Sequence, residues 1–120
     1  MRTTITKIFT FDAAHSLPDH LGNCRNVHGH TYKMEVTVEG SVDSGGPTDG
    51  MIMDFADLGS RVAELVVDLV DHRYLNDLFD FVPTAEVLAA WALSTLRDAG
   101  LAAVRVRMWE TPTSYAEVSV

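Results

Sequence analysis

The chain has 120 residues, 47% of them hydrophobic, with nine Lys+Arg against seventeen Asp+Glu and a formal net charge of −8. That predicts a single domain, residues 1–120, with one real core, and it excludes a disordered chain. The acidic balance argues against nucleic acid and an anionic membrane surface as partners, since both need a basic face.

No apolar run approaches the ~20 residues of a membrane span, and MRTTITKIFTF at the N-terminus shows no signal-peptide pattern. The single cysteine, Cys24, cannot form an internal disulfide. A cytoplasmic protein is expected.

Residues 2–11, rich in Thr, Ile and Phe, predict a strand with Ile5, Phe9 and Phe11 on one parity. Residues 30–39 alternate strictly, Tyr32, Met34, Val36 and Val38 against Thr31, Lys33, Glu35, Thr37 and Glu39, the pattern of a half-buried strand. Residues 41–50 are dense in Gly, Pro, Asp and Ser and predict a loop.

Phe55, Leu58, Val62, Leu65, Val66 and Leu69 predict one face of a helix capped by Asp54. A second helix follows Pro83, capped by Thr84, striped by Leu88, Trp91, Ala92, Thr95 and Leu96, and ended by Gly100. Residues 103–110 alternate again, Val104, Val106 and Met108 against Arg105 and Arg107, and a last strand covers roughly 115–120. The order β-β-α-α-β-β predicts an α+β fold, an antiparallel sheet with a helix pair on one face. Four strands leave two open edges, which invites oligomerisation by strand pairing.

His28-Gly29-His30 is the strongest chemical signal. In a strand, residues i and i+2 face one side, about 7 Å apart. Both histidines share parity with Tyr32 and Met34, and a hairpin would bring His15 beside them. Three neutral imidazoles without a fourth protein ligand make a catalytic zinc arrangement with an open position. Cys24, four residues before His28, is either a fourth ligand, which makes a structural zinc module, or a thiolate base beside the metal.

Asp71-His72 follows the first helix. The pair suits proton transfer, or His72 simply complements the helix dipole. Glu110 ends a strand on the apolar parity. There it either meets an amino-pyrimidine edge or sits in solvent, because an unpartnered inward carboxylate is costly.

Six stretches, in order, resemble the 6-pyruvoyl-tetrahydropterin synthase / 6-carboxy-5,6,7,8-tetrahydropterin synthase family. They are Phe11-Asp12-Ala13-Ala14-His15; Cys24 with His28-Gly29-His30; Met53 to Leu58; Asp71-His72 with Tyr74-Leu75-Asn76; Pro83-Thr84-Ala85-Glu86; and Glu110 to Ala116. The resemblance implies the tunnelling fold, with subunit sheets joined into a barrel, commonly a homohexamer of two stacked trimers with active sites at interfaces.

Three residues between Cys24 and His28 resemble the bacterial 6-carboxytetrahydropterin branch of 7-deazapurine (queuosine-type) biosynthesis. The implied reaction takes 7,8-dihydroneopterin triphosphate to 6-carboxytetrahydropterin, acetaldehyde and triphosphate. The implied roles are Zn2+ on His15, His28 and His30, Cys24 as base, Asp71 and His72 as proton relay, and Glu110 with Thr111 on the pterin edge. Arg73 stands where many relatives carry a second histidine. Lys33, Arg25 and Arg73 are the cations on hand for triphosphate.

Overall fold

In the computed structural model, which describes Met1–Val120, β1 (Thr3–His15) and β2 (His28–Gly40) pair antiparallel along their full length. The register runs from Thr3 opposite Gly40 to His15 opposite His28. Alternation in β2 explains this, because Tyr32, Met34 and Val36 are fully buried on one face and a one-residue slip would expose all three. Thr37 faces the other way yet is also buried. Its hydroxyl is bonded to Thr6 Oγ1 at 2.7 Å and accepts from Arg105 at 3.1 Å.

The sheet continues through β4 (Ala103–Thr111) and β5 (Ser114–Ser119), both antiparallel to their neighbours. It has five strands, in the order β3-β1-β2-β4-β5, where the sequence pattern predicts four. The extra strand, β3 (Arg73–Tyr74), pairs parallel to β1 at Ala13 and Ala14. Two residues are too few to show a period. In β4 the inward parity starts at Ala103 and not at Val104. The ladder shifts between Thr37 and Val38, so Val38 pairs with Ala103 and Val104 falls out of step.

One face of the sheet is covered by helices. Asp54 caps α1 (Phe55–Val62) by accepting from Ala56 N–H at 2.6 Å. The helix runs on through a π-helical turn, Ala63–Val67, into α2 (Asp68–Val70). Its buried residues are Leu58, Val62, Val66 and Val70, spaced by four. In a pure α-helix that spacing drifts about 40° per step. The wider π turn absorbs part of the drift and keeps the stripe on the sheet. Phe55 and Leu69, expected on the apolar face, are consequently 53% and 47% exposed.

A short α3 (Leu75–Leu78) leads to α4 (Ala85–Asp98), whose cap Thr84 accepts from Val87 N–H at 3.2 Å. Gly100, at φ 92°, closes it, with Leu101 N–H donating to Leu96 O at 3.1 Å.

The four-residue stripe separates two leucines of one helical segment. Leu58→Ala should lower the unfolding free energy by about 2–5 kcal/mol, the range for a buried leucine. Leu69→Ala should change it by less than about 0.5 kcal/mol, as an exposed position does. Urea unfolding of both variants checks this, and equal losses would contradict the stripe.

Candidate metal centre

The strands alternate in direction, so β1 ends, β2 begins, β4 ends and β5 begins at one end of the sheet. The register places His15 opposite His28, and Ala13 opposite His30. All three imidazoles therefore leave the sheet on its apolar side. Their ring centroids lie 4.6, 5.1 and 5.0 Å apart, and one ligand atom from each falls within 4.8 Å of the others. Imidazole nitrogens around a tetrahedral zinc sit ~3.4 Å apart, a small contraction from this arrangement.

Two backbone carbonyls choose which nitrogen is free. His15 Nδ1–H donates to Pro83 O at 2.8 Å, and His28 Nδ1–H donates to Asn26 O at 2.7 Å. Each Nε2 is left with its lone pair, as a metal ligand requires. The buried Nε2 atoms of His15 and His30 have no neighbour to bond except the Glu110 carboxylate, which offers them no proton. A buried lone pair facing a carboxylate is costly unless a proton or a cation comes between them. The three-histidine donor set therefore fits a divalent transition metal, with Nε2 of His15, His28 and His30 to hold it. Cys24 lies outside that cluster, half-buried in a one-turn 3-10 helix, Asn23–Arg25, of the loop joining β1 to β2.

Glu110 completes the polar cluster. The β4–β5 ladder shifts between Trp109 and Thr111, making Glu110 the extra residue of a bulge. Bulges re-aim side chains. Its Oε1 lies 3.1 Å from His15 Nε2 and 3.5 Å from His30 Nε2. The contact with His15 holds Glu110 below the ordinary carboxylate value, although burial opposes this. Burial alone would push His15 down, but Glu110 and the Pro83 carbonyl outweigh it and raise it. His30 is lowered, mainly by burial. Burial also pushes the Tyr32 phenol well above its usual range. Thr111, beside Glu110, accepts from Thr113 N–H at 3.3 Å and holds the turn.

Asp71 and His72 are not brought to this cluster. They dock on the outer edge of β1, where Asp71 Oδ1 accepts from Asp12 N–H at 3.1 Å and His72 N–H donates to Asp12 O at 2.6 Å. His72 Nδ1 lies 2.9 Å from Asp71 Oδ1, and its backbone adopts φ 59°. The Asp12 N–H is the largest single influence holding the Asp71 carboxyl below its ordinary value, and His72 adds to it. Among the three cations, Lys33 lies 4.2 Å over the Trp109 ring, while Arg25 and Arg73 are exposed. The Pro83 and Asn26 carbonyls escape sequence reasoning, because any residue carries one.

A family model described as 6-pyruvoyl tetrahydropterin synthase matches residues 4–120. The 6-carboxy-5,6,7,8-tetrahydropterin synthase of Haemophilus influenzae is 36% identical over 94% of this chain and 96% of its own length. Its namesake in a Synechocystis species is 42% identical over 93% and 89%. The solved 6-pyruvoyl tetrahydropterin synthase of Caenorhabditis elegans superposes with a TM-score of 0.84 at 30% identity, covering 100% of this chain and 96% of that one.

In the metal-free protein burial is the largest influence on His15 and lowers it, and Glu110, helped by the Pro83 carbonyl, reverses the sign. A raised histidine stabilises the fold below its unfolded value and loses that contribution as pH rises through the folded one. Glu110→Gln should reverse the sign: His15 should titrate below the ordinary histidine value of 6.5, and its protonation should then cost stability at acid pH. NMR titration of the imidazole C–H resonances checks this. A His15 still above that value in the variant would contradict the assigned cause.

Proposed function

The chain belongs to the 6-pyruvoyl tetrahydropterin synthase family, and from that premise we propose that it is a zinc-dependent 6-carboxytetrahydropterin synthase. It has the tunnelling fold of its structural neighbours and is a pterin-processing lyase, the activity class of its relatives. The proposed reaction converts 7,8-dihydroneopterin triphosphate to 6-carboxy-5,6,7,8-tetrahydropterin, acetaldehyde and triphosphate, for 7-deazapurine (queuosine-type) biosynthesis. Both bacterial relatives carry the 6-carboxy name, which supports that product over a pyruvoyl one. The observation that carries the proposal is the convergence of three imidazoles, two of which, His15 and His30, turn buried Nε2 atoms toward the Glu110 carboxylate with no other partner.

His15, His28 and His30 would hold the zinc, which would supply a Lewis acid able to polarise the side-chain hydroxyls of the substrate and acidify the adjoining C–H and O–H bonds. Glu110 accepts from the ring N–H and exocyclic amine of the pterin, with Thr111 beside it, and so fixes the ring plane. A carboxylate kept ionised at neutral pH suits that bidentate role. Cys24 takes a proton from the side chain as thiolate. Its place outside the histidine cluster supports a base over a ligand, and an open catalytic centre over a structural Cys-His₃ module.

Asp71 orients His72, and His72 moves protons from the neighbouring subunit. The outer edge of β1 is paired only at Ala13 and Ala14, and the outer edge of β5 is unpaired. Laying the β5 edge of a second copy antiparallel on β1 would place that copy's Ser114 turn, and hence its Glu110 and histidines, beside Asp71 and His72. Repeated from copy to copy with a closing rotation, that heterologous pairing would make a ring, a homo-oligomer proposed to be a hexamer of two stacked trimers. No helix is long and apolar enough to cross a membrane, and the single unpaired cysteine supports a cytoplasmic enzyme.

Incubation with 7,8-dihydroneopterin triphosphate, with products identified by mass, tests the activity. The expected products are 6-carboxytetrahydropterin and acetaldehyde. Cys24→Ala should keep its zinc and lose turnover by ~10²-fold or more, as removing a positioned base does. His72→Ala should be similarly impaired, and the two variants refolded together should recover activity, because some interfaces then combine an intact Cys24 with an intact His72. Loss of zinc with Cys24, or no recovery in the mixture, would contradict the assigned roles.

A further inference from the structure

His15 is the only one of the three histidines with no exposure, and it sits at the last residue of β1. Beyond it the β1–β2 ladder ends, so ordinary strand pairing no longer restrains the backbone. The next residue, Ser16, is instead gripped by side chains from a distant segment. Asn76 Oδ1 accepts from Ser16 N–H at 2.9 Å, and Asn76 Nδ2 donates to Ser16 O at 2.9 Å. One carboxamide thus supplies both bonds that another strand would have supplied. Tyr74 OH is hydrogen-bonded to Ser16 Oγ at 2.8 Å, and Ser16 is itself buried.

The same stretch of chain holds the ring, through Pro83 O on His15 Nδ1. It is fastened to β1 at its other end by the backbone pairing of Arg73 and Tyr74 with Ala13 and Ala14. Phe79 stacks on Phe81 at 4.4 Å and meets Trp91 of α4 at 4.8 Å, which braces the turn leading to Pro83. By contrast, His28 takes its Nδ1 partner from Asn26, two residues away in its own loop.

We propose that Tyr74 and Asn76 are positioning residues for the metal centre: acting through Ser16, they fix His15 where its Nε2 meets those of His28 and His30, and thereby set metal affinity. The inference rests on the three-histidine metal centre proposed above. The physical reason is preorganisation, since a ligand already held in place loses less freedom when the ion arrives. Neither residue belongs to the three-histidine cluster itself.

The test measures zinc affinity of full-length protein by competition with a chromogenic chelator, alongside the melting temperature of the metal-free form. Asn76→Ala should weaken zinc binding by ~10–100-fold, and Tyr74→Phe, which deletes one oxygen, by about tenfold, the scale of outer-shell losses. Leu101→Ala, a buried residue at the opposite end of the sheet, serves as control. It should lower the melting temperature and leave zinc affinity unchanged.

If Asn76→Ala does not fold, Tyr74→Phe decides. Variants that melt earlier but bind zinc like the control would show a purely structural role and overturn the inference. A wild-type protein that binds no zinc would overturn the metal centre and this inference with it, whereas wild-type binding matched by both variants would overturn the inference alone.

Discussion

The pairing of His15 with His28 is the constraint on which the site depends. A β-ladder permits shifts only in whole residues, and a shift of one turns every side chain to the other face. The core residues Tyr32, Met34 and Val36 therefore lock the register from within. The same register delivers three imidazoles to the apolar side at the end of the hairpin. Core packing and site geometry are one decision made by one pair of strands. The energy that holds the register is distributed over many buried atoms, while the Nε2 lone pairs of His15 and His30 face the Glu110 carboxylate and cost energy until a proton or a cation comes between them.

A division of labour follows between the two faces and edges of the sheet. The helix-covered face encloses the histidines, and Pro83, from the segment leading into α4, supplies the carbonyl that orients His15. The far edge of β1 carries Asp71 and His72, fastened to the backbone of Asp12. In the proposed oligomer a second copy of the chain would cover that edge, which β3 pairs only at Ala13 and Ala14. The strained φ of His72 fits the same logic, because a non-glycine residue holds a left-handed conformation only when its surroundings demand it. Here those surroundings include the bond from His72 N–H to Asp12 O.

Much of this was legible in the amino-acid sequence, for physical reasons that differ by element. The alternation in residues 30–39 identifies β2 and its buried face, since a period of two survives any context. His28-Gly29-His30 announces a shared side for the same reason. The helix caps Asp54 and Thr84 are legible because short polar side chains have few better uses beside an apolar run. What stayed hidden depends on partners far along the chain. A two-residue strand such as β3 has no period. The π-helical turn that exposes Leu69 arises from fitting a four-residue stripe onto a sheet. The bulge that aims Glu110 at His15 and the bulge that displaces Val104 both reflect the neighbouring strand. The carbonyls of Pro83 and Asn26 carry no side-chain signature.

The central claim is that the hairpin register assembles three imidazole nitrogens around one zinc and leaves a position open for substrate. X-ray absorption spectroscopy at the zinc edge, on protein reconstituted with one equivalent of zinc and no substrate, tests it directly. The expected first shell is three nitrogen scatterers with imidazole outer-shell features and one oxygen from water, at about 2.0–2.1 Å. A sulfur scatterer at about 2.3 Å would contradict it, since Cys24 would then close the site.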